Sequence, residues 1–223
     1  MKHPDYLKEL FLIVLLLIPI IYLGIIWNSL PDIMPTNFAA DGTPDHIGYK
    51  GEFLLLMIFL FFTNLLLYFL FRYIPKVDDD MHRSAAPLHA GEYYRIRLGI
   101  HLYLAIFSCF VVLLLQLGYL RGLEKWAFAG VGILIIVLGY YLGRLRPNYF
   151  VGVRTPWTLL SNEVWQRTHE MAGRLWMTVG AVVFLAGFFL PVMTGVFLIF
   201  VAVVLLSALP YIYSFRLYNR DKG

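Results

Sequence analysis

The chain has 223 residues, 60% of them apolar and only 14% charged, with a mean hydropathy of +0.72. Soluble domains run near half apolar and about a quarter charged, so this composition excludes a soluble globular fold and points to a chain solvated by lipid. The net charge of +4 is spread too thinly for a nucleic-acid surface, and basic residues in a membrane chain mark loops on the cytoplasmic side.

Residues 1–8 form a short, weakly charged lead, followed by an uncharged run at 10–30. That run is too long for a signal-peptide core and is not followed by a small-residue cleavage site, so it reads as a retained first span. Further uncharged runs lie at 53–71, 98–120, 126–143 and 175–215. A crossing takes about 20 apolar residues, so the last run is long enough for two, with Pro191 and Gly195 supplying the turn. The expectation is an all-α polytopic membrane protein of six transmembrane helices. Backbone groups in lipid must pair within their own segment, and no alternating pattern suggests a barrel.

Lys and Arg set the orientation. With the N-terminus inside, 15 of the 18 fall on the cytoplasmic pieces and 3 outside, which predicts both ends in the cytoplasm. The same reading divides the chain into a two-helix unit at 1–74, a cytoplasmic linker at 75–95, a four-helix unit at 96–215 and a tail at 216–223. The linker holds Pro75, three successive aspartates and Pro87, and is expected to be the most mobile piece.

Two loops are longer than connectors need to be. The outer one, 31–50, carries three prolines, two glycines, three aspartates and a histidine, with turn signals at Asp41-Gly42 and Pro44-Asp45. It reads as a compact hairpin, or as an external contact element. Two aspartates fall short of a calcium site, and no Cys/His cluster has zinc spacing, so no metal or cofactor is expected.

The inner loop, 144–174, says more. Gly152, Arg154 and Pro156 interrupt any helix. Ser161 can cap a new one, with Glu163 in its first turn. Val164, Trp165, Thr168, Met171, Ala172, Leu175 and Trp176 then recur at helical spacing, and Glu163 with Arg167 and Glu170 with Arg174 form i,i+4 pairs. This is a cytoplasmic amphipathic helix that either lies on the membrane or extends the fifth span. His169 sits at the edge of its apolar stripe, as an interface hydrogen-bonder or a group able to respond to pH. An acid/base site of His169, Glu163, Arg154 and Asn148 needs the loop to fold back, so the simpler reading is structural and an enzyme is not the preferred class. Within the spans strongly polar residues are few, Asn64, His101 and Gln116, thin material for a transport pathway.

The stretch PNYFVGVRTPWTL (147–159), followed by Ser161, Glu163-Val164-Trp165, Thr168-His169 and Gly173-Arg174, resembles the signature of the SdpI family of bacterial membrane proteins. The outer loop, with Pro35, Asn37, Phe38, Gly42, Pro44 and Asp45, resembles the uncharacterised domain that often precedes it. That domain commonly has His and Asn around the phenylalanine, where this chain has Asn37 and Ala39. The resemblance implies an inner-membrane protein of the immunity or receptor type. Such a protein would meet a membrane-active peptide outside and a transcriptional repressor inside, without binding nucleic acid itself. It implies that Asn148, Gly152, Arg154, Thr155, Pro156, Trp157, Trp165, His169 and Arg174 form the ligand or partner site, with the six outer-loop residues as a second contact. A transporter or a membrane-embedded enzyme is the alternative.

Overall fold

The computed structural model describes residues 6–38, 44–81, 90–118, 123–148 and 150–220. Seven helices follow in order: α1 Tyr6–Ile26, α2 Lys50–Met81, α3 Ala90–Gln116, α4 Leu123–Leu142, α5 Pro156–Leu160, α6 Asn162–Ala186 and α7 Val192–Arg220. One amendment to the all-helical expectation is needed. Between α1 and α2 the outer loop forms an antiparallel hairpin, β1 Ile33–Phe38 with β2 Pro44–Tyr49, its register shifting on either side of Asn37. Prolines that cannot donate to a ladder are tolerated here because both strands are edges.

Among the described residues, five helices are long and apolar enough to cross a membrane: α1, α2, α3, α4 and α7. The expected sixth crossing falls on α6, which differs for a clear reason. Its first half carries Glu163, Arg167, Glu170 and Arg174, and its uncharged part begins only at Leu175. The amphipathic segment and the fifth apolar run are thus one continuous helix. The long run at 175–215 is broken at 187–191, just before α7 starts at Val192.

The chain packs as two units, the first made of 1–73 with 91–124 and the second of 74–90 with 125–223. In the first unit α3 packs with α1 and α2. The half nearer the hairpin is apolar, with Leu23, Ile26, Met57, Val112 and Leu115 buried together, and Leu12, Leu15, Leu16 and Ala105 continue the core further along α1 and α3. Long apolar side chains such as Phe59, Phe62 and Leu66 face outward, the arrangement expected in lipid.

The second unit is held by backbone contact. A Cβ on Gly132 would meet Phe184, one on Gly139 would meet Trp176 and Met177, and one on Gly173 would lie 2.8 Å from Gly139 O and Gly143 Cα. A Cβ on Gly180 would press on Gly132 O, and one on Gly187 on Phe128. Gly173, Gly180 and Gly187 recur every seven residues, two helical turns, so they line one face of α6. The partners descend along α4 as α6 ascends, so the two helices run antiparallel in close contact. Small residues permit this approach, which in lipid replaces a hydrophobic driving force.

Candidate functional site

The inner loop of the second unit folds into a small, densely hydrogen-bonded lock. Beyond α4 the chain turns at Asn148, which is 1% exposed and uses its whole amide. Its Oδ1 accepts from Phe150 N (3.0 Å) and Val151 N (2.7 Å), and its Nδ2 donates to Arg146 O and Val151 O. Gly152 follows with φ of +114°, a conformation L side chains rarely adopt, and a Cβ there would run into the His169 imidazole. Both facts require glycine.

Thr155 caps α5. Its Oγ1 accepts from Thr158 N (3.1 Å), while Thr158 Oγ1 accepts from Thr155 N (2.9 Å), a reciprocal capping box with Pro156 in the first turn. Trp157 then donates its indole N–H to Ser214 Oγ (2.8 Å) and lies among Tyr211, Phe215 and Tyr218, which fastens α5 to α7. Ser161 caps α6 by accepting from Val164 N, as its sequence position suggests.

His169 is the keystone. It is 1% exposed and stacked on Trp165 at 3.9 Å. Val153 N–H donates to Nε2 at 2.9 Å, so Nε2 is the lone-pair nitrogen and Nδ1 carries the proton, donated to Trp165 O at 2.8 Å. Trp165 in turn donates its indole N–H to Leu145 O (2.9 Å). The neutral ring is therefore the form the site is built for, and burial pushes its pKa down to about 4. Two readings from sequence change here. The histidine is inside the fold rather than at the edge of a stripe, and it does not titrate near neutral pH. Neither ring nitrogen is left to exchange a proton with a substrate, so His169 is not available as the base of an acid/base site.

Of the nine signature residues, Asn148, Gly152, Thr155, Pro156, Trp157, Trp165 and His169 are thus brought together. Arg154 and Arg174 remain exposed. The Glu163–Arg167 pair forms at 2.6 Å, but the expected partner of Arg174 does not engage it: Glu170 accepts from Gln166 instead. In the outer loop, Pro35, Asn37 and Phe38 lie on β1 and Pro44 and Asp45 on β2, while Gly42 falls outside the described residues. Among the described residues no group of three His, Cys, Asp or Glu side chains could hold a metal.

The first unit contains a polar cluster that the sequence reading did not assemble. Arg97 grips Glu9 with both terminal nitrogens (2.8 and 2.9 Å), and Tyr68 donates to Glu9 Oε2 at 2.7 Å. Arg72 donates to the Tyr68 hydroxyl, and the Arg97 guanidinium sits 4.8 Å from the Tyr68 ring centre. One turn deeper, His101 is fully buried with Nδ1 2.6 Å from Asn64 Oδ1. The signal was available: Asn64, Tyr68 and Arg72 are four apart on α2, as are Arg97 and His101 on α3. Gln116, the third of the strongly polar residues named within the spans, accepts from Tyr22 at 2.9 Å.

Residues 144–214 match the SdpI/YfhL protein family. The chain carries an SdpI family domain. Residues 14–75 match the Domain of unknown function DUF1648, so both resemblances seen in the loops extend into their flanking helices. Over 198 residues the chain is 26% identical to the Immunity protein SdpI of Bacillus subtilis (strain 168), covering 89% of this chain and 88% of that protein. No solved structure matches. Together with the apolar helices, these similarities identify a multi-pass bacterial membrane protein.

Proposed function

We propose that this protein confers immunity against a membrane-active peptide, acting from within the bacterial membrane and offering its inner loop to a cytoplasmic regulator. The observation that carries the reading is the length of the similarity to the B. subtilis immunity protein, which spans nearly all of both chains rather than one shared motif. The site geometry supports binding over chemistry. The lock spends its polar atoms on holding its own shape, and presents Arg154 on an exposed edge. A surface of fixed shape suits recognition, because little entropy is lost when a partner docks.

The same proposal includes six crossings with both ends inside. Support comes from the 15 to 3 division of Lys and Arg and from the close antiparallel run of α6 along α4. It also assigns the outer hairpin, from Pro35 through Asp45, to the side where the peptide arrives, and treats 1–74 and 96–215 as the inherited modules joined by the 75–95 linker.

The test is a deletion strain, and the gene expressed in a sensitive host, challenged with a panel of secreted membrane-active peptides. Protection by the wild-type gene against at least one peptide, lost on deletion, is the expected result. Equal survival of both strains against the whole panel would remove the immunity reading. Exchange of Arg154 for Gln should leave the protein in the membrane while weakening capture of any cytoplasmic partner.

A further inference from the structure

In the second unit a notch of about 280 Å³ opens where α4 and α6 reach their charged ends. Gly139, Gly143 and Gly173 line it, Tyr140 and Met177 give it apolar walls, and Arg144, Arg174 and Glu170 stand around it. Arg144 lies over the Tyr140 ring at 3.7 Å and donates to Tyr140 O, which fixes its guanidinium in place with further N–H groups to offer. Arg174 behaves differently from the rest of the signature stretch. Asn148, Thr155, Trp157, Trp165 and His169 all spend their polar atoms inside the fold. The Arg174 guanidinium makes no hydrogen bond or ion pair among the described residues, and its i,i+4 acid is taken by Gln166.

The level of the notch follows from two separate boundaries. The uncharged run on α4 ends at 143, and the one on α6 begins at 175. The close contact of Gly143 with Gly173 brings these two boundaries side by side. A position where apolar sequence gives way to arginine on both of two packed helices is the edge of the hydrocarbon layer. The notch therefore combines cationic donors, apolar walls and headgroup depth.

We propose that this notch binds the phosphate of an anionic phospholipid. Arg174 and Arg144 donate to the phosphate oxygens, and Tyr140 and Met177 pack against the glycerol and the first acyl carbons. Two arginines against one glutamate leave an excess positive charge, which favours an anionic lipid over a zwitterionic one. The glycines are needed twice, once for helix contact and once to keep the floor clear of side chains. This assignment does not depend on the immunity reading.

The test is native mass spectrometry of the purified full-length protein titrated with phosphatidylglycerol or phosphatidylcholine of matched chains. The wild type should prefer phosphatidylglycerol by about tenfold, R174Q should cut that preference to about threefold, and R144Q/R174Q should abolish it, since each basic side chain at headgroup level supplies a share of the attraction. R167Q, an exposed arginine on the same helix that pairs with Glu163, should keep it. Gel-filtration and thermal unfolding must show each variant folded. Equal binding of the two lipids by wild type, retention of the preference in R144Q/R174Q, or equal loss in R167Q would overturn the proposal. Displacement of the lipid by millimolar inorganic phosphate would instead make the site one for a free anion and overturn the lipid assignment.

Discussion

The two units solve the same problem, burying polar groups among apolar helices, by opposite means. The first gathers charge: buried Arg97, half-buried Glu9 and exposed Arg72 meet around Tyr68, and the ion pair joins α1 to α3 while Tyr68 brings in α2. Among the described residues the second buries only neutral groups: the amide of Asn148, the hydroxyls of Thr155, Thr158 and Ser214 and an uncharged imidazole, all hydrogen-bonded to backbone or to one another, and Thr168, whose Oγ1 has no hydrogen-bond partner. A charge cluster costs several kcal/mol in desolvation and recovers it only while every partner is present. A neutral lock costs less to bury and fails more gradually, but it demands particular backbone conformations such as that of Gly152. The difference teaches where each unit is vulnerable: the first to loss of one charge, the second to changes of shape and of protonation.

The largest expected effect lies in the first unit. Arg97→Met leaves the half-buried Glu9 carboxylate without its bidentate partner, held only by the Tyr68 hydroxyl at 2.7 Å and by Arg72 at 3.7 Å. Breaking one side of such a pair is expected to cost about 3–5 kcal/mol. Thermal unfolding in detergent should show a large drop, and the double variant Glu9→Gln with Arg97→Met should recover a good part of it. A single variant as stable as wild type would mean that the pair is solvated and that the contrast between the units is false.

How much of this was legible in the sequence depends on which side of a boundary a residue fell. The apolar runs follow from composition, because hydrocarbon admits little else; the break in the last run, expected on Pro191 and Gly195, lies at 187–191, with Gly195 inside α7. The caps at Ser161 and the helical stripe from Val164 to Trp176 follow from local chemistry and fixed spacing. The cluster is hidden because Glu9, Arg72 and Arg97 lie just outside the uncharged runs, where a charge reads as belonging to a loop. Helices α1, α2 and α3 extend beyond those runs, so the three meet inside a helix bundle. The lock was half legible: RTPW marked the place, but no rule of spacing says that the backbone of Val153 would bond the imidazole 16 residues later. The seven-residue spacing of Gly173, Gly180 and Gly187 is readable as well, because it needs no knowledge of the partner helix. Pairings across long separations are what a single sequence hides.

Next in size is the pH response of the lock. His169 is held neutral in the fold, with its pKa lowered to about 4, whereas an unfolded histidine titrates near 6.5. As pH falls below about 6.5 the unfolded chain takes up a proton that the native ring refuses. Stability should therefore be full above that value, decline by up to about 1.4 kcal/mol per unit as pH drops toward 4, and then level off for this group. His169→Gln should flatten that part of the profile. An unchanged slope in the variant would show that the ring titrates freely in the native protein.

Gly152→Ala should cost about 2–3 kcal/mol, from a strained positive φ together with the clash against His169. The loss should appear as faster proteolysis near 150–156, since the damage is local to the lock. An alanine variant that resisted the protease like wild type would mean that the loop can adopt a second shape, against the rigid surface on which the binding reading relies.

The smallest effect tests the seam between α5 and α7. Trp157 donates to Ser214 Oγ, and Ser214 passes its own proton to Tyr211 O one turn back, so the serine both receives and relays. Ser214→Ala removes the acceptor and leaves a part-buried indole N–H without its partner. The expected cost is about 1 kcal/mol, the range for one neutral hydrogen bond. Trp157→Phe should cost more, because it also removes ring area packed against Tyr211, Phe215 and Tyr218. In the Trp157→Phe background Ser214→Ala should then be nearly silent, since there is no longer an indole to orphan. A double-mutant cycle that gave full additivity would show that the two side chains do not share this bond, and that α5 is held to α7 by ring packing alone.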